Sequence, residues 1–87
     1  MNDKAIRQAM VVKARHEASL MQKANVIGVG VGFRQQQGKL TDEIVLVVNV
    51  TQKLPAAQLA PEDIIPNEIE GVPVDIYETG EMRALNE

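Results

Sequence analysis

A helix packed on a small β-sheet, in the α+β class, is the architecture to expect of this chain. Three stretches carry that expectation. Residues 3–23 are rich in Ala, Met, Leu, Lys, Gln, Arg and Glu and hold no Gly or Pro, a composition that favours helix. The stretch Asn25-Val-Ile-Gly-Val-Gly-Val-Gly-Phe-Arg34 puts Ile27, Val29, Val31 and Phe33 on one parity and Gly28, Gly30 and Gly32 on the other. Successive side chains of a strand alternate between faces, so this segment has one branched wall and one bare wall. The run Glu43 to Thr51 is nearly continuous in β-branched residues, the mark of a strand covered on both faces.

Taken in order, the expected elements are α-β-β-α-β, in two layers, with a three-stranded and mainly antiparallel sheet. Asn2 or Asp3 can cap the first helix. Ile6, Met10, Ala14, Ala18 and Met21 recur at helical spacing and form its expected stripe, with Val12 and Leu20 lying off it; Met10, Met21 and Val12 can equally serve as an adhesive face or as core. Lys13 and Glu17 are four apart and can pair. Asn25 ends the helix. The glycine strand runs from about Val26 to Arg34 and Gln35 to Lys39 makes a hairpin loop. A bare wall admits a close neighbour, so Gly30 is expected to lie against the small Ala14 and Ala18. Ile44, Leu46, Val48 and Val50 share one face of the second strand. Pro55 can open a short helix over Ala56 to Ala60, which Pro61 stops. Ile64, Ile65 and Ile69 are expected to pin the acidic crossing that follows. Val72 to Tyr77 reads as the third strand, and Pro73 marks it as an edge. Gly80 ends it. The whole is one domain: a helical segment 1–23, a core 24–80 and a polar tail 81–87.

Composition narrows the possible functions. The 87 residues suffice for one small domain with a modest core. The absence of Cys removes disulfides, thiolate catalysis and thiolate-bound metal. No signal peptide is visible and no run nears the ~20 apolar residues of a membrane span, so a cytoplasmic protein without a membrane partner is expected. The net charge of −3 is unevenly spread. Residues 1–23 carry +3, residues 24–53 carry +1 and residues 54–87 carry −7. Such halves attract each other within a chain or between copies. The basic part is too sparse and too poor in aromatics for nucleic acid.

Three groupings invite a chemical role, and none sustains it. His16 and Ser19 lie three apart, but a helix interior supplies neither an orienting acid nor an oxyanion hole. Gly28, Gly30 and Gly32 follow G-x-G-x-G spacing and continue as a strand, whereas phosphate loops lead into a helix. Their expected role, like that of Pro73, is structural. Glu62, Asp63, Glu68 and Glu70 lack the spacing of a calcium loop. No catalytic residue, cofactor or metal is therefore assigned.

The successive segments A-N-V-I-G-V-G-V-G-F-R, E-I-V-L-V-V-N-V-T-Q-K-L-P and I-I-P-N-E-I-E-G-V-P-V-D-I-Y-E-T-G together resemble a known family. It is a small N-terminal domain that precedes a trypsin-like serine peptidase domain in bacterial and some plant proteins. The resemblance runs from about Ala24 to Gly80. It implies an accessory domain standing alone, to which no peptidase residue can be carried over, because the matching positions fall outside the chain. The function to expect is a non-enzymatic structural or protein-interaction module that self-assembles into a homo-oligomer. Val12, Lys13, Arg15, Leu20, Val72 and Val74 are its expected contact residues. The alternative is a pro-segment-like or inhibitory partner of a separate serine peptidase.

Overall fold

The computed structural model describes residues 3–79. Helix α1 spans Asp3–Met21, followed by strands β1 (Val26–Gln36) and β2 (Lys39–Val50). Two 3-10 turns, Ala56–Gln58 and Pro61–Asp63, replace the expected short α-helix. Two more strands close the chain, β3 (Glu68–Ile69) and β4 (Val72–Glu78). The sheet has four strands in the order β1-β2-β4-β3. β1 and β2 are antiparallel, β2 and β4 are parallel, and β3 and β4 are antiparallel. The expectation of three mainly antiparallel strands is therefore corrected. A short β3 was missed, and β4 lies inside the sheet rather than at its edge.

Pro73 does not contradict that position. It precedes the β2–β4 ladder, which begins at Leu46 and Val74, and pairs only with Glu68 of β3. Its missing N–H therefore costs no bond to β2. Both hairpins close through two residues of positive φ: Gln37 (52°) with Gly38 (81°), and Glu70 (51°) with Gly71 (84°). Positive φ at both central residues matches the twist of paired strands. In each turn glycine takes the second position, where a side chain would be strained.

The core lies between α1 and one face of the sheet. Ala9, Val12 and Leu20 of the helix pack on Val26, Ile44, Leu46, Val48, Val50, Ile69, Val72 and Val74. Val29, Val31 and Ile76 are partly buried against them, so the branched wall of β1 faces the helix. Gly28, Gly30 and Gly32 face away, and a Cβ added at Gly30 would meet nothing within 4 Å. The expected contact of Gly30 with Ala14 and Ala18 is overturned. The core face of the helix is also rotated from the expected one. It runs through Ala5, Ile6, Ala9, Val12 and Leu20, so Ile6 lies where it is expected, while Met10, Ala14, Ala18 and Met21 are exposed.

The bare wall serves curvature instead. Tyr77 pairs in register with Asn49, and Asn49 with Gly28. Phe33 lies five residues beyond Gly28, about 17 Å along an extended strand. Yet the Tyr77 hydroxyl donates to the Phe33 carbonyl at 3.1 Å, and the Gln35 N–H donates to Asp75 Oδ2 at 3.1 Å. On a flat sheet neither contact is within reach. The far end of the hairpin must roll over the glycine face, where a Cβ added at Gly32 would lie 3.2 Å from Val47 Cγ2. The register breaks on either side of the regular stretch Gly28 to Phe33, and such irregularities bend a strand. Val45, opposite Gly32, is fully buried beneath the roll.

Candidate functional site

The two flanks of α1 meet the rest of the molecule differently. On the flank toward β3 and β4, three side chains converge on the Glu70–Gly71 turn. Arg15 Nη1 donates to Glu70 Oε1 at 2.7 Å and His16 Nε2 lies 2.7 Å from Glu70 Oε2. Gln8 Nε2 reaches the Glu70 carbonyl at 3.4 Å. A carboxylate only accepts, so His16 carries the proton on Nε2 in this bond. The His16 hydrogen bond holds the Glu70 carboxyl below its ordinary value; partial desolvation opposes it, and the charges of Arg15 and His16 add to it. Beyond Met21, the Lys23 ammonium donates to the Glu62 carbonyl at 2.6 Å and the Ala24 N–H donates to Asp63 Oδ1 at 2.9 Å. The basic front and acidic back of the sequence thus meet within one chain. His16 is engaged with Glu70 rather than with Ser19.

On the flank toward β1 the surface is open. Ile6, Met10 and Lys13 of the helix and Val31, Phe33 and Ile44 of the sheet line a groove of ≈ 420 Å³. Met10 is 56 % exposed, Met21 41 % and Phe33 45 %. Lys13 and Glu17 are paired at 3.0 Å on this flank. Beneath them β1 is the end strand of the sheet, so the outward N–H and C=O groups of its regular stretch meet no strand among the described residues. Natural edges are commonly blunted by charge or proline, and Val26 to Phe33 contains neither. A second cavity, ≈ 340 Å³, lies under the 3-10 turns among Lys53, Leu54, Asp63, Ile65 and Ile76. Among the described residues no three or more His, Asp or Glu side chains gather as a metal site, and no helix is long and apolar enough to cross a membrane.

The expected contact residues divide accordingly. Val12 and Leu20 are each 2 % exposed, Val72 5 % and Val74 9 %. They are core and offer no surface, because the helix is rotated relative to its expected stripe and β4 is flanked by β2 and β3. Arg15 is exposed but tied to Glu70. Only Lys13 lies on the open flank. Met10 on that flank, and Ala14, Ala18 and Met21, which are exposed as well, belong to the stripe expected to pack. The signal for the true stripe was present in Val12 and Leu20, large apolar groups eight apart, but His16 lies between them and broke the pattern.

A family model, the NARROW LEAF 1 N-terminal domain, matches residues 2–78. The chain belongs to this family. The match takes in α1 as well as the β segments, and so extends to the helix, where the sequence resemblance began only at Ala24. No curated protein matches the chain.

Proposed function

We propose that this member of the NARROW LEAF 1 N-terminal domain family is a non-enzymatic interaction module that assembles with copies of itself through the side bearing β1. One observation carries the proposal: an edge strand that is uncharged from Val26 to Phe33 and unpaired among the described residues lies on the same side of the molecule as an exposed apolar helix flank. An open edge is a template for another chain, and apolar side chains beside it supply area to bury. Small domains bury a limited share of their surface alone, about 60 % for chains of this order, and a second copy adds to it. Light scattering over a concentration series tests this. The expected result is a mass above the 9.5 kDa of one chain, falling to it in Met10→Glu/Phe33→Asp. A mass of 9.5 kDa at every concentration would overturn the proposal.

A second occupant of the same edge is an extended segment of a separate trypsin-like serine peptidase, for which the domain would act as a regulatory or pro-segment-like partner. What supports this reading is the sequence resemblance from Ala24 to Gly80; the family model itself names only an N-terminal domain. Retention of an encoded peptidase by the native chain and not by Met10→Glu/Phe33→Asp is the expected result if this occupant is the right one.

A further inference from the structure

We infer that two copies join by antiparallel pairing of β1 with β1 about a two-fold axis, so that the helices lie side by side over one continuous sheet. This rests on the self-assembly proposed above and specifies its geometry.

The β1 edge sets the direction. Helix α1 begins over the Phe33 end of β1, where Ile6 and Met10 meet Phe33. It then leads through residues 22–25 into Val26, so helix and strand are antiparallel. Pairing β1 with its own copy about a two-fold axis brings the Phe33 end of one against the Val26 end of the other. The start of one helix then faces the end of its partner.

The open flank is self-complementary in that arrangement. In order it presents Met10, Lys13, Glu17 and Met21. Reversed on itself, Met10 meets the partner's Met21. Packed helix axes stand about 8–10 Å apart.

Charge follows the same reversal. Lys13 and Glu17 already form a pair on this flank, and the two-fold axis sets Lys13 against the partner's Glu17 twice over. A closed isologous pair uses one patch on both subunits, and here one patch holds both signs. A head-to-tail contact through the +3 front and −7 back is a poorer fit. Arg15, His16 and Lys23 of the front are already engaged with Glu70 and Glu62 of the back.

Two variants test the geometry. Lys13→Glu places two acids on the flank and Glu17→Lys places two bases there. Each should dimerise on the order of tenfold more weakly than the native chain, because attractive pairs become repulsive. An equimolar mixture of the two should recover dimer, since each then meets its opposite. Circular dichroism confirms that both variants keep their helix. Because the chain has no Cys, Lys13→Cys mixed with Glu17→Cys gives an independent readout. Under air oxidation the mixture should yield more disulfide-linked dimer than either variant alone. A native dimer whose variants are not rescued by mixing, or whose mixed cysteines link no better than each alone, overturns this geometry and leaves self-assembly standing. A native chain of 9.5 kDa throughout overturns both.

Discussion

The two edges of the sheet show how differently one small chain can finish its borders. At one edge β3 has two residues, Glu68 and Ile69. Its turn is gripped from above by Gln8, Arg15 and His16. At the other edge β1 has 11 residues, three of them glycines turned away from the helix, and the apolar groups above it are exposed. The first edge is short and locked by polar contacts, which is how a border is made unavailable. The second is long, uncharged over its regular stretch and flanked by Met10 and Phe33. The contrast is what supports the interaction surface proposed above, without any appeal to chemistry at a pocket.

The sharpest way to break the contrast is to compare the buried and open flanks of α1 directly. Leu20→Ala should cost about 2–5 kcal/mol, because Leu20 is nearly inaccessible and its removal leaves a cavity. Met10→Ala, measured at a concentration where only monomer is present, should stay within about 0.5 kcal/mol. Equal losses in urea melts would mean that the helix is placed wrongly. Next in size is Gly71→Ala at the gripped turn. A side chain at φ 84° should lower stability by about 1–2 kcal/mol, although its Cβ would come no closer than 3.7 Å, to Gln8 Nε2. An unchanged melting temperature would show that this turn is not held as described.

A smaller effect of opposite sign is expected on the bare wall. Gly30→Ala adds a Cβ into open space and should raise stability by about 0.5–1 kcal/mol, since glycine is costly within a strand. At Gly32 the new Cβ would lie 3.2 Å from Val47 Cγ2, so Gly32→Ala should gain less or lose. If both substitutions lower the melting temperature alike, the glycine face is more crowded than its geometry indicates.

The smallest effect concerns acid. Folding lowers the carboxyl pKa of Glu70 from its ordinary 4.5. Its contribution is then fully present above that value and is lost as pH falls through the lower, folded one. Glu70→Gln should therefore be less stable than the native chain at pH 6, and the gap should close progressively as pH falls below 4.5, as read by thermal melts. A constant gap across that range would remove the electrostatic explanation.

How much of this was legible beforehand depended on how local its cause was. The helix, both long strands and the Val72 strand were readable because periodicity and branching are local. The pairing order was not, since the parallel union of β2 with β4 depends on segments far apart in the chain. The rotation of α1 was missed for a related reason. Val12 and Leu20 lie off the spacing of Ile6, Met10, Ala14, Ala18 and Met21, yet they are buried, and His16 between them is met by Glu70, 54 residues away. The glycine alternation was correctly taken as a bare wall, but its purpose was misjudged. A bare wall admits a neighbour or permits a bend, and only the Tyr77 and Asp75 contacts distinguish the two. The Lys13–Glu17 pair was legible because the two residues are one helical turn apart.

The placement of β4 beside β2 also has a consequence for synthesis. The β1–β2 hairpin can close as soon as both strands exist, on the microsecond scale. Leu46, however, waits for Val74, which leaves the ribosome much later at ≈ 5–20 residues per second. For that interval Ile44 to Val48 is a run of five apolar residues with an unpaired edge, the kind of segment that seeds aggregation. The nascent chain is therefore most vulnerable between the emergence of Val50 and that of Glu78, and a translational stall in that window would do more damage than one later.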